Sequence, residues 1–169
     1  MRKAEQLLDL QQIAEINKQV FTGSATYASA YTWIHTLWKT EPVYQYFVIV
    51  NTHEPEKVLG YAGFQIHGGF DRIEPVVELD QIGIATFAQG SGLGTFLILE
   101  CICRIAPWLA KTNSSCAGFV TFVVWGYADN KPAMRLYAKL FTEGVCGKRT
   151  QFGDREEYMY RLRVPVPVP

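Results

Sequence analysis

Glu78-Leu-Asp-Gln-Ile-Gly-Ile-Ala-Thr-Phe-Ala-Gln-Gly-Ser-Gly-Leu-Gly-Thr95 reads as a strand, a glycine-rich turn and the opening of a helix. The strand signal is the β-branched and apolar run from Val76 to Ile84. Gly90, Gly92 and Gly94 supply the turn, because closely spaced glycines let the backbone reach positive φ and come close to a ligand. From Leu93 to Ala110 the chain is mostly leucine, isoleucine, phenylalanine and alanine, which is helical material. Such a turn aims several backbone N–H groups and the positive end of a helix dipole at one spot, so it is suited to an anion, most often a phosphate.

Three phosphate-binding patterns compete for this stretch. A Walker loop needs Gly-Lys-Ser/Thr, and no lysine follows these glycines. A dinucleotide fingerprint needs Gly-x-Gly-x-x-Gly, whereas the spacing here is Gly-x-Gly-x-Gly and lies mid-chain. The third pattern, Gln/Arg-x-x-Gly-x-Gly/Ala, is matched in full by Gln89-Gly90-Ser91-Gly92-Leu93-Gly94. That segment resembles the acyl-CoA pyrophosphate loop of the GNAT superfamily of N-acetyltransferases. The plain alternative is a glycine turn with no ligand. Its placement between an apolar strand and an apolar helix argues against that, as does a second match downstream.

The second match is Asn130-Lys-Pro-Ala-Met-Arg-Leu-Tyr137, which resembles the superfamily's Asn-x-x-Ala-x-x-x-Tyr motif. On a helix Asn130, Ala133 and Tyr137 share one face. The resemblance implies that small Ala133 admits a pantetheine arm, that the Asn130 amide bonds the cofactor, and that Tyr137 stands near the thioester sulfur. The alternative is an ordinary amphipathic helix with a buried tyrosine. One departure is visible: the superfamily continues Tyr-x-x-x-Gly-Phe, whereas this chain has Tyr137-Ala-Lys-Leu-Phe141-Thr-Glu-Gly144, so the helix is expected to close differently, at Gly144.

The rest of the chain fits one domain. Its 169 residues are enough to bury roughly 70% of the unfolded surface. At 49% hydrophobic it is globular rather than disordered. A formal net charge of zero, with no lysine/arginine block, argues against a large nucleic-acid surface. It also argues against an acetyltransferase toxin acting on aminoacyl-tRNA. Cys101, Cys103, Cys116 and Cys146 form no Cys-x-x-Cys and the three histidines are scattered, so no metal site is expected and the thiols read as buried and reduced. The N-terminus carries no signal-peptide pattern, and Glu100, Arg104 and Pro107 interrupt the longest apolar stretch, so a cytoplasmic protein without a membrane span is expected.

In order, the pattern predicts helices over 4–20 and 27–39, strands over 44–50 and 57–66 joined as a hairpin, and the strand from Val76. A helix then runs to about Trp108, a buried central strand spans 117–125, and a helix capped at Asp129-Asn130 runs to about Phe141. Strands near 147–152 and 157–163 follow. Residues 1–163 thus read as a single GNAT-like domain, and 164–169 as a Val-Pro tail, extended and mobile or packed as a strap. The fold class is α/β (α+β), a mixed and mostly antiparallel central sheet with helices on both faces. The superfamily has this order plus a short first strand, which is not evident here.

The resemblance implies acetyl-CoA as donor substrate and direct attack by a small-molecule or peptide amine, without a covalent enzyme intermediate, in a monomer or homodimer. Backbone groups at Ile82, Gly83 and Ile84 would meet the pantetheine and the acetyl carbonyl. Amides from Gln89 through Gly90, Ser91, Gly92, Leu93 and Gly94 to Thr95 would hold the pyrophosphate. Glu78 aligns, counting back from the glycine loop, with the general-base glutamate of the superfamily's histone acetyltransferases. Glu78 and Asp80 share a strand face about 6–7 Å apart, so Asp80 or a water held by either carboxylate remain candidates, as does a plain ion pair of Glu78 with an arginine such as Arg72. Tyr137 is the candidate acid, a phenol titrating near ~10. Lys131, Arg135 and Lys139 read as a solvated helix face, and His67 as a surface histidine at a cleft edge. The rival function is a non-catalytic acyl-CoA binder or interaction module that kept the glycine loop.

Overall fold

The computed structural model describes residues 1–21, 26–68, 72–151 and 155–167. Outside them lie 22–25, between the two expected helices; 69–71, ahead of the strand from Val76; Phe152, at the end of the strand expected over 147–152; and the last two residues of the tail. Among the described residues twelve elements follow one another: β1 (Arg2–Lys3), α1 (Leu7–Val20), α2 (Tyr27–Trp38), β2 (Tyr44–Val50), β3 (Val58–His67), β4 (Val76–Ile84), a short 3-10 turn (Thr86–Ala88), α3 (Leu93–Thr112), β5 (Phe119–Tyr127), α4 (Lys131–Leu140), β6 (Val145–Gln151) and β7 (Arg155–Pro165). The strands form one mixed sheet in the order β1-β2-β3-β4-β5-β7-β6. The pairings of β1 with β2, β2 with β3, β5 with β7 and β6 with β7 are antiparallel, and β4 with β5 is parallel, as the strand–helix–strand crossover through α3 requires. By compactness the chain divides into two units, 1–65 with 81–101 and 66–80 with 102–169.

The first unit packs α1 and α2 with β1, β2 and β3. Its core gathers Leu10, Ile13, Ile34, Tyr44, Tyr46, Val48 and Tyr61. Gly83 of β4 belongs to this unit, and its missing side chain matters. A Cβ there would come within 2.7 Å of the Tyr61 ring and about 3.1–3.2 Å of Ile16 and Val20 methyls on α1. Asn17 of α1 donates to the Tyr61 hydroxyl at 2.7 Å and to Gln81 Oε1 at 3.4 Å, tying the helix to the C-terminal half of β4.

The two-residue β1, absent from the sequence expectation, exists because Arg2 pairs with Val48 and Lys3 with Phe47. It is clamped to α1 by Arg2, whose guanidinium donates to both oxygens of Asp9 at 2.6 and 2.7 Å. The Asp9 carboxylate, 1% exposed, also accepts the Glu5 and Gln6 amides at the start of the helix. Burial alone would raise its pKa, but the Arg2 bond and the two amides outweigh it and hold the carboxyl below its ordinary 3.8. A depressed carboxyl stabilises the fold fully above that ordinary value, and the contribution is lost as pH falls through the folded value below it. We expect Asp9→Ala to cost about 2–3 kcal/mol, a Tm drop of roughly 5–10 °C in a domain of this size. The gap between variant and wild type should narrow in melts run at about pH 3. A gap independent of pH would show that Asp9 acts by packing alone.

In the second unit β5 is the central strand. Val120, Phe122 and Val124 are buried on one face and Thr121 and Val123 on the other, the two-sided burial its apolar sequence predicts. It pairs in parallel with β4 from Val76↔Thr121 to Leu79↔Val124, and in antiparallel register with β7 from Phe119↔Pro165 to Tyr127↔Glu157. The expected tail boundary at 164 falls inside β7. Val164 pairs with Val120, and the Val166 amide donates to Gly118 O at 2.9 Å. β6 pairs only with Arg155–Tyr160, so Pro165 lies beyond it, where β7 needs no donor on that side.

α3 is longer than expected, continuing past Trp108 through Pro107 to Thr112. Pro107 deprives the carbonyl four residues back, at Cys103, of its donor, and Cys103 is exposed, where water can substitute. By length and composition α3 would suffice to cross a membrane. Yet Leu97, Ile98, Cys101, Ile102, Ile105, Ala106, Leu109 and Ala110 are buried at three- and four-residue spacing, the pattern of a helix packed on protein. The thiols divide: Cys101 and Cys116 are buried as expected, while Cys103 and Cys146 are exposed, Cys146 because it sits on β6 at the end of the sheet order.

Candidate functional site

The glycine loop forms as its sequence demands. Ala85 N is anchored on Leu59 O at 2.9 Å, the 3-10 turn follows, and Gly90 and Gly92 take φ of 78° and 82°. Nothing lies within 4 Å of where a Cβ would stand on either glycine. The space over the loop is therefore open to a ligand. Gln89 Nε2 donates back to Ile84 O at 3.0 Å, and Ser91 Oγ to Ala88 O at 2.6 Å. Both side chains brace the loop, so what Gln89, Gly90, Ser91 and Gly92 offer outward is backbone. α3 begins at Leu93, and its first helical bond in this loop runs from Phe96 N to Gly92 O. The amides of Leu93, Gly94 and Thr95 thus belong to the first turn, whose N–H groups have no partner within the helix. N–H groups gathered at a helix start in this way suit an anion.

Of the β4 candidates, Ile82 and Ile84 are half-buried and Gly83 is buried. All three lie beyond Leu79, the last residue of the parallel ladder.

Glu78 lies in that ladder, opposite Val123. Its partner is not Arg72. Glu78 Oε2 sits 2.7 Å from Nε2 of His67, the last residue of β3. The Glu78 side chain is 20% exposed and that of His67 37%. Asp80 is exposed. In the sequence His67 reads as a surface residue. Its one available signal was position: it ends β3, Glu78 is third in β4, and the connection 68–75 is short enough to bring them together.

α4 is capped as expected. Asn130 is its N-cap, and Oδ1 accepts the Ala133 amide at 3.3 Å, so part of the Asn130 side chain is committed to the helix. Pro132 occupies the first turn. Ala133 is half-buried and Tyr137 6% exposed, on the shared face that the three- and four-residue spacing predicts. That face lies close on β5, since a Cβ on Gly126 would come within 2.9 Å of the Tyr137 ring and 3.0 Å of Met134 Sδ. Phe141 and Tyr160 flank the Tyr137 ring at centroid distances of 6.1 and 6.3 Å. Burial pushes the Tyr137 phenol up to about 12, away from the ordinary value expected from sequence.

The helix does not reach Gly144. It ends at Leu140 with Phe141 fully buried, and Gly144, at φ 69°, makes the turn into β6. Lys131, Arg135 and Lys139 are exposed, as a solvated face should be.

The Acetyltransferase (GNAT) family profile matches residues 10–141. A curated relative, mycothiol acetyltransferase of Nocardia farcinica, is 31% identical over 94 residues, which are 56% of this chain and 27% of that protein. The chain therefore spans about a quarter of that relative's length. Among solved structures, the ribosomal-protein-S18-alanine N-acetyltransferase of Escherichia coli superposes with a TM-score of 0.68 at 18% identity, covering 97% of this chain and 93% of that one. Arabidopsis thaliana NAA60 in complex with acetyl-CoA gives 0.67 at 15% identity, covering 96% and 97%. At such identities the likeness speaks for the fold, while the profile spans well over half the sequence, including both motifs down to Phe141. The chain belongs to the acetyltransferase (GNAT) family.

Proposed function

We propose that the chain, with β7 running to Pro165, acts as one N-acetyltransferase domain that moves the acetyl group of acetyl-CoA to a primary amine by direct attack. The observation that carries this reading is the loop from Gln89 to Thr95, open over Gly90 and Gly92 and running straight into the first turn of α3. Such a cradle of N–H groups fits a pyrophosphate without any lysine. Acetyl-CoA, when bound, supplies the activated thioester, and this chain's residues do the rest.

In this reading backbone groups at Ile82, Gly83 and Ile84 align the pantetheine and polarise the acetyl carbonyl as it becomes an oxyanion. Asn130 and Ala133 border the pantetheine arm. Glu78 drives removal of the acceptor's proton, since an ammonium must become a neutral amine before it can attack. Tyr137 faces the departing sulfur. With its phenol at about 12 it stays neutral at rest throughout the physiological range. A free thiol titrates near ~8.5, so complete transfer from so weak an acid is uphill by about 1.4 kcal/mol per unit. Tyr137 therefore acts first by donating a hydrogen bond to the sulfur as the C–S bond breaks. The two exposed free thiols, Cys103 and Cys146, suit a reducing cytoplasm, where we place the protein.

The test is incubation with isotope-labelled acetyl-CoA and a panel of amines: amino acids, polyamines, amino sugars and peptides with free N-termini or lysines. Label should appear on an amine and not on the protein. Tight CoA binding in calorimetry, with no labelled amine from any member of the panel, would instead establish the non-catalytic acyl-CoA binder.

A further inference from the structure

We infer that the acceptor's proton leaves through His67, with Glu78 as the positioning residue that holds and charges the imidazole. The inference rests on the acetyltransferase reading above and names the atom that receives the proton. A carboxylate can only accept, so the 2.7 Å contact between Glu78 Oε2 and His67 Nε2 requires the proton on Nε2. That fixes the neutral tautomer, whose lone pair is then on Nδ1.

The exposures agree with this order of roles. Glu78 is the more enclosed partner at 20% and His67 the more accessible at 37%. An enclosed carboxylate behind an accessible imidazole is the arrangement in which the acid orients the base and stabilises the imidazolium that forms. Among the described residues, the charged groups near this pair include Arg72, whose guanidinium lies beside Gly68, and Asp80, two residues along β4. Arg161, beside Val123 on β7, is held by Glu143.

The steps balance. The acceptor ammonium gives one proton to His67 Nδ1, and Glu78 stabilises the imidazolium through Nε2–H. The neutral amine forms the C–N bond at the thioester carbon, and the C–S bond then breaks. The sulfur gains a proton from Tyr137, which is restored by the second proton of the attacking nitrogen. The imidazolium releases its proton to solvent, so an amide, a free thiol and one proton are produced.

The experiment compares His67→Gln with wild type in acceptor-dependent acetyl transfer, alongside nitrogen NMR of the His67 ring. A glutamine keeps an N–H for Glu78 but cannot take a proton. We expect kcat to fall about 10²–10³-fold with KM for acetyl-CoA unchanged, and the low-pH limb of kcat/KM to disappear. In wild type the neutral ring should carry its proton on Nε2, and in Glu78→Gln this preference should be lost. If His67→Gln keeps kcat within about threefold while Glu78→Gln is inactive, Glu78 is itself the base and the inference is overturned. A neutral ring protonated on Nδ1 in wild type overturns it too. Wild type that binds CoA and acetylates no amine would sink the parent reading and this inference together. An active wild type with an unimpaired His67→Gln sinks the inference alone.

Discussion

Gly92→Glu is expected to abolish CoA binding in a chain that still folds. The site has room for the side chain, because nothing lies within 4 Å of the Cβ position. The backbone does not welcome it, since φ is 82° and an L-residue there costs about 1–2 kcal/mol. That leaves a folded protein with a Tm lower by several degrees. Binding should suffer far more. The new carboxylate stands in the space over the loop and repels a pyrophosphate, while the amides around it lose their partner. Losing two charge-assisted hydrogen bonds at about 1.5–3 kcal/mol each weakens affinity by roughly 10²–10⁴-fold. Calorimetry with CoA on a mutant of native circular dichroism is the check. Unchanged affinity would mean that the phosphates are held elsewhere.

Tyr137→Phe carries the second large effect. Removing one hydroxyl keeps the ring between Gly126, Phe141 and Tyr160, so the fold should hold and CoA affinity change little. If the hydroxyl faces the departing sulfur, kcat falls on the 10²–10⁴-fold scale typical of acid catalysis. The raised phenol value sharpens the prediction. With its pKa at about 12, Tyr137 does not ionise below pH 10, so no loss of rate on the alkaline side up to that pH belongs to it. A kcat within about threefold of wild type, at a pH where chemistry limits the rate, would reduce Tyr137 to a core residue.

Much of this architecture is legible in the sequence where local pattern and tertiary need agree. The limits of β2 and β4, 44–50 and 76–84, follow from β-branched runs bounded by turn residues. The cap of α4 follows from Asn130 and Pro132, because a side-chain oxygen and a fixed φ are local devices. Where partners decide, the sequence is silent. Arg2 and Lys3 carry no strand signal, and β1 exists only through the β2 ladder and the Asp9 clamp. Pro107 reads as a helix end, yet the buried stripe carries α3 five residues beyond it. The prolines after 164 read as the start of a tail, yet the valines between them supply the bonds that extend β7. The candidate site divides in the same way. The glycine loop is a local conformation and is visible in Gln89–Gly94. The contact between His67 and Glu78 joins the ends of two strands, and the apparent isolation of His67 in the sequence hid it.

The most direct measurement is thiol release from acetyl-CoA by the purified wild-type chain, followed continuously across the amine panel, with acetylated product quantified in the same samples. A saturable, amine-dependent rate, with one acetylated amine formed for each thiol released, is expected for at least one acceptor class. CoA bound at the loop with thiol release no faster in the presence of any amine than in its absence would contradict acetyl transfer as this chain's activity.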